Sequence, residues 1–417
     1  MPVIPTRRNV VVPLALSVLA LGGVMAWLTW NSTRLVLAPI GPARVRPQIV
    51  CTAGTVIVLA PDGSLWGWGD NRQGQLGSHL PGLVRRPRRI SADTNWTAVS
   101  VGYSRAAAVK ADGTLWTWGS DGPLPAGGFQ RVGGFQQVGD DRAWRAVGTG
   151  DSRPVAGLPL LALKTNGTLW AMDASGQATS GATPASTEMI QLGASSNWVA
   201  IPAGFYHSCG LQQDGSAWVL GTTPLKGGLS RLGGDTNWVA VRNGNGFALA
   251  RKADGSWWAR GPTVDALLDF PPGLSDTQWV CLPRTERWEV IAGGRYHVLG
   301  LTRNGAMRAL GLNRLGYVGD GTTNSHARPI EIATDKAWIA VGAGGAFSVA
   351  LAADGSLWTW GVRLGESFTR SKFIRTLGGW ANRLGLRAAW ADAKSPRFET
   401  RPRCILRFTT NAPAGPK

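Results

Sequence analysis

Seven times along this chain a glycine follows Asp or Asn in the same local setting. These are Gly63, Gly113, Gly167, Gly215, Gly255, Gly305 and Gly355, at intervals of 50, 54, 48, 40, 50 and 50 residues. Three residues after each stands Trp, at Trp66, Trp116, Trp170, Trp218, Trp258 and Trp358, with Arg308 the exception. Six residues after it stands another Gly, with Asp173 the exception. A second Trp leads by seventeen residues, at Trp96, Trp198, Trp238, Trp288 and Trp338, and each opens a short apolar run. Trp144 carries the same beat displaced six residues by an insertion around Pro154 and Pro159. Units of this size cannot bury an apolar face alone and must stack on their neighbours.

Asp-Gly between two alternating apolar runs predicts a hairpin with a type I′ turn, both central residues at positive φ. The stretch from Val109 to Trp118 is the clearest case. With the Trp-led strand added, each unit has three strands, and the variable stretch after the Trp-rich strand supplies a fourth. Several strands per unit at this period predict an all-β fold, a seven-bladed β-propeller. The indoles would fill the wedges between blades.

Residues Asp62 to Gly77, Asp-Gly-Ser-Leu-Trp-Gly-Trp-Gly-Asp-Asn-Arg-Gln-Gly-Gln-Leu-Gly, resemble the regulator of chromosome condensation repeat, as do Asn313 to Thr323, closed by Pro329. The phased beats cover about residues 50 to 365. The resemblance implies a seven-bladed propeller of the type found in exported bacterial members, among which is an inhibitor that clamps a β-lactamase. It does not carry over the nucleotide-exchange activity of the founding member, whose functional residues have no counterparts assigned here.

The first unit has Arg46 where a leading Trp is expected, and an unpaired Trp390 follows Trp338 by 52 residues. The expectation is that the C-terminal segment near Trp390 completes the first blade; the rival is a frayed eighth unit. The divisions are residues 1–9, an apolar segment 10–30, a linker 31–48, the propeller 49–396, and an Arg-rich tail 397–417 that takes part in ring closure.

Val10 to Trp30 is an uncharged run of 21 residues, long enough to cross a bilayer, preceded by Arg7 and Arg8 and carrying Trp27 and Trp30 at one end. It reads as a transmembrane anchor or as a signal helix cleaved after Val24-Met-Ala26. Either places the propeller outside the cytoplasm, membrane-anchored or secreted.

Four cysteines show no metal-binding spacing, so no metal is expected. Cys51 and Cys404 flank the expected closure and in an oxidising compartment are candidates for a disulfide. His207 and His297 share one repeat phase, which Phe247 and Phe347 occupy elsewhere, so a structural role is expected of them. His79 and His326 lie in loops without an acidic or nucleophilic partner at a recognisable spacing. No nucleophile elbow, metalloprotease, phosphate-loop or dinucleotide pattern occurs. The expectation is therefore no enzyme, no catalytic residue and no cofactor.

The formal charge is +18, and Arg85, Arg86, Arg88 and Arg89 form its densest cluster, expected in the loop after the first Trp-rich strand. Such a cluster attracts anionic partners or is simply solvated. The leading expectation is a monomeric binding or scaffold propeller that engages a protein or anionic envelope component through its blade-connecting loops. Nucleic acid is disfavoured for an exported domain. A GTPase exchange factor and a structural or adhesive surface domain are the alternatives.

Overall fold

The computed structural model describes residues 36–40, 44–123, 129–150, 160–172, 189–201, 208–220, 229–261, 263–268, 275, 278–283, 288–364 and 398–410. Seven sheets follow one another along the chain, six antiparallel sheets of four strands and one of five that includes a parallel pair. The innermost strands are Gln48–Cys51, Trp96–Val101, Trp144–Gly148, Trp198–Ala200, Trp238–Asn243, Trp288–Gly293 and Trp338–Ala343. In the second blade the chain then runs outward through Arg105–Lys110, Leu115–Pro123 and Phe129–Gln137. The expected seven-bladed propeller is thus the fold. Among the described residues no helix is long and apolar enough to cross a membrane; the apolar segment 10–30 lies outside them.

The second strand of each described blade is nearly all buried, because both its faces meet neighbouring blades. Thr55–Leu59 and Phe347–Ala352 are buried throughout. The leading indoles Trp96, Trp198 and Trp238 are at most 2 % exposed and seal the wedges, each burial worth a few kcal/mol.

The hairpin turns differ from the expected type I′. Only the glycine has positive φ, +80° at Gly113, and among the described residues Ala333 is the one non-glycine there. Gly113 N–H donates to Lys110 O and Lys110 N–H to Thr114 O, both at 3.0 Å, a type I turn closed by a glycine bulge. Asp112 keeps negative φ, and its side chain accepts from Thr114. A Cβ on Gly113 would stand 1.9 Å from Arg142 O, so packing demands glycine as firmly as the backbone does.

Ring closure also departs from expectation. The first blade is complete from strands between Gln48 and Arg89, and Phe398–Thr410 is instead the fourth strand of the last blade. Val36–Ile40, within the expected linker, joins that blade as a fifth strand, parallel to Leu406–Thr410. Trp390 lies outside the described residues. Phe408 takes the missing indole's place: its N–H donates to Gly355 O at 2.9 Å, as Trp144 does to Gly113 O at 3.1 Å and Trp338 to Gly305 O at 3.0 Å. One apolar cluster runs unbroken from Val349, Leu357 and Phe408 through Val56 and Trp68 to Trp96.

Candidate binding surfaces

The repeated Asp residues serve a hydrogen-bond relay. Thr114 donates its N–H and Oγ1–H to Asp112 Oδ1 at 3.0 and 2.7 Å, and Trp116 Nε1–H donates to Thr114 Oγ1 at 2.9 Å. The same relay joins Asp62, Ser64 and Trp66, and likewise Asn166, Thr168 and Trp170. It recurs at Asp214, Ser216 and Trp218, at Asp254, Ser256 and Trp258, and at Asp354, Ser356 and Trp358. Hydrogen bonds from Thr114, Ser216 and Ser356 hold the Asp112, Asp214 and Asp354 carboxyls below the usual value. The sixth blade loses Trp and hydroxyl together: Arg308 and Ala306 stand there, and Arg308 pairs with Glu331 at 2.9 Å.

A second device locks the leading and following indoles, which meet edge-on with centroids 6.2 Å apart at Trp96 and Trp116. Lys110 Nζ lies 4.9 and 4.1 Å from their centroids and pairs with Asp93 at 2.9 Å. Lys164 with Asp141, and Lys252 with Asp235, repeat the arrangement. In the fourth blade Gln212 and Ser195 occupy these two positions, so both charges vanish together. These pairs went unnoticed in the sequence, although their phase relative to the turn was there to be read.

His297 is fully buried; its Nε2–H donates to Ser348 Oγ at 2.7 Å, and Ser348 Oγ–H donates to Tyr317 O at 2.7 Å. Burial lowers its pKa to about 3. It joins the sixth and seventh blades as a neutral strut, and His207 lies outside the described residues. His326 corrects the sequence reading, for Asp320 Oδ2 lies 2.9 Å from its Nε2.

The arginine cluster lies on a strand and not in a loop. Leu83–Arg89 is the outer strand of the first blade, with Trp66 opposite Arg89 and Gly67 opposite Arg88. Arg85, Arg88 and Arg89 are exposed and Arg86 is half-buried. Charges and Pro87 on an outermost strand discourage pairing with another sheet edge. The Cys51–Cys404 disulfide does not form: Cys51 is on an inner strand and Cys404 on an outer one. The two strands belong to different blades, the first and the last, and all four cysteines are free.

Strand register sorts the connections between the two faces. In the first blade Trp66 pairs with Arg89 near the hairpin turn and Asp70 with Leu83 at the opposite end. The connections between third and fourth strands, which vary most in length, therefore share the face opposite the Asp-Gly turns. Buried asparagines at one repeat phase organise two of them. Asn71 Nδ2 donates to Gly77 O, Leu80 O and Pro81 O at 3.0 to 3.1 Å, and its Oδ1 accepts from Leu76 N–H at 2.7 Å. Asn313 Nδ2 donates to Asp320 Oδ1 and Thr322 O at 3.1 and 3.0 Å, and its Oδ1 accepts from Val318 N–H at 2.9 Å. Each loop leans on the next blade: Trp118 Nε1–H donates to Gln75 O at 2.9 Å, and Gly319 packs on Trp360. In the fifth blade a short helix, Val264–Leu268, packs its Leu267 and Leu268 in one apolar cluster with Leu310 of the sixth.

The inner strands enclose a central cavity of about 510 Å³, lined in part by Arg46, Gln48, Arg145, Arg242, Asn245 and Ile339. Among the described residues no group of three or more His, Cys, Asp and Glu is placed to hold a metal ion.

Seven sheets around an axis, six of them carrying the Asp/Asn–hydroxyl–Trp relay within their hairpins, define a repeat propeller. Residues 62–109 match the family model of the regulator of chromosome condensation (RCC1) repeat. A stretch of 89 residues is 36 % identical to the X-linked retinitis pigmentosa GTPase regulator homolog of Caenorhabditis elegans, covering 20 % of this chain and 6 % of that protein. Human WBSCR16 superposes with a TM-score of 0.60 at 18 % identity, over 82 % of this chain and 94 % of that one. Prp20p of Saccharomyces cerevisiae, whose binding to Gsp1p and histones is described with its structure, superposes at 0.58 and 15 % identity, over 88 % and 87 %. The chain is thus a seven-bladed propeller that carries an RCC1 repeat at residues 62–109.

Proposed function

We propose that this propeller is a non-enzymatic binding module that holds a protein partner on the face carrying its connections of unequal length. The observation that carries this reading is the pair of buried clamps, Asn71 and Asn313, which fix exposed loops on one face and lean them on the neighbouring blade. Loops held in place before binding pay little ordering entropy, and a ring of them presents enough area for a standard interface. The run from Val10 to Trp30 supports display outside the cytoplasmic membrane. An anionic envelope polymer held by Arg85, Arg88 and Arg89 would instead make the domain adhesive.

Affinity capture with the full chain in mild detergent, at low and high salt, tests this. The expected result is a saturable protein partner that survives high salt and is lost on Asn71→Ala with Asn313→Ala. Retention of salt-labile anionic polymers alone would favour adhesion.

Regulation of a small GTPase is the second reading, supported by the stretch shared with a GTPase regulator homolog. It requires accelerated nucleotide release from a small GTPase on adding the propeller, and a cytoplasmic location. An alkaline-phosphatase fusion after residue 50 separates the two: activity supports export, and an inactive fusion supports the regulator reading.

A further inference from the structure

We propose that the central channel is a binding site for a compact polyanion of the phosphate type, distinct from the loop face. Arg46, Arg145 and Arg242 line the cavity from the first, third and fifth blades, so cationic groups reach it from three sides of the ring. Among the described residues that line it, none is Asp or Glu.

Two of these positions, Arg46 and Arg242, depart from the rest of the repeat. Arg46 stands at the phase of the leading Trp, a packing duty that Phe408 has taken over, and is exposed within the channel. Arg242 stands where the other described inner strands carry Val50, Ser100, Gly148, Ala292 and Gly342. The small residues leave space, and the guanidinium occupies part of it. Arg242 Nη1 donates to its neighbour Val241 O at 2.8 Å, and Arg145 Nη2 to Trp198 O at 2.7 Å, while each guanidinium carries five N–H groups. The buried Asn245 Nδ2 in the same cavity has no acceptor among the described residues. Burial, with repulsion from Arg46 and Arg251, holds Arg242 below the ordinary arginine value, as expected of a cation left without a counter-charge.

Donors without acceptors, and cations without carboxylates, suit one ligand chemistry: several anionic oxygens on a small frame. A cavity of about 510 Å³ admits such a group with its waters and excludes a folded partner.

Isothermal titration of the full chain with inorganic pyrophosphate tests the proposal. Saturable one-to-one binding is expected, weakened at least tenfold by Arg242→Gln and by Arg46→Gln and unchanged by Arg88→Gln on the outer edge. Pyrophosphate should raise the melting temperature of the parent and leave that of Arg242→Gln unmoved. If Arg242→Gln fails to fold, Arg46→Gln carries the test. Absence of saturable heat, equal affinity in the channel variants, or loss on Arg88→Gln would overturn it.

Discussion

Phe408, near the end of the last described strand, meets Trp66 of the first blade edge-on, with ring centroids 5.7 Å apart and planes at 70°. That is the geometry of Trp96 on Trp116 or Trp338 on Trp358, each within a single blade. The two ends of the ring are thus joined by the contact that holds five of the six leading indoles.

Phe408→Ala should therefore cost about 3–5 kcal/mol, the usual range for removing a buried aromatic side chain. In a double-mutant cycle with Trp66→Ala the losses should fall short of additive by more than about 0.5 kcal/mol, as expected of residues in contact. Denaturant melts of the four proteins check it, and strict additivity would show that the ring closes elsewhere.

His297 gives a pH dependence with a defined sign. Its pKa is about 3 when folded, against 6.5 for the free side chain, so the unfolded chain binds more protons between these values. Its contribution is complete above about pH 6.5 and is lost as pH falls towards 3. His297→Phe, the residue type at Phe247 and Phe347, should flatten the stability profile across that window. An unchanged slope would mean that other groups set it.

In the sixth blade Arg308→Trp alone would bury an indole N–H without its hydroxyl acceptor, a cost of about 1–3 kcal/mol. Combined with Ala306→Ser, which rebuilds the relay to Asn304, it should recover most of that loss. Thermal melts of the single and double variants measure the coupling.

Asn71→Ala would strip three carbonyls and one N–H of their partner inside the first loop. About 1–3 kcal/mol of stability should go. Hydrogen exchange should rise across residues 71–82 and stay unchanged in the strands. Protection lost throughout the blade would show that the clamp supports the sheet itself.

The blade count and the place of each strand were legible because a glycine held at positive φ recurs with every unit. Phe408 was not, since a phenylalanine standing in for Trp at the far end of the chain carries no phase of its own until the ring is closed. Trp390 lies outside the described residues, and the outer strand of the last blade, Phe398–Thr410, carries no Trp to mark its phase. In the arginine cluster, charge and Pro87 mask an edge strand, Leu83–Arg89, behind the composition of a loop. Asn71 and Asn313 shared a phase that could have been noticed, eight residues after the turn glycine. Their burial could not, since it depends on loops folding back over them.

The most direct test of the binding account places a photo-crosslinking amino acid at Ser78 or Arg314 on the loop face, and at Gln213 or Ala253 on the turn face. Irradiation in the native host should give protein adducts of discrete mass from the first pair and none from the second. Adducts from Gln213 or Ala253 alone would contradict the assignment of the binding face.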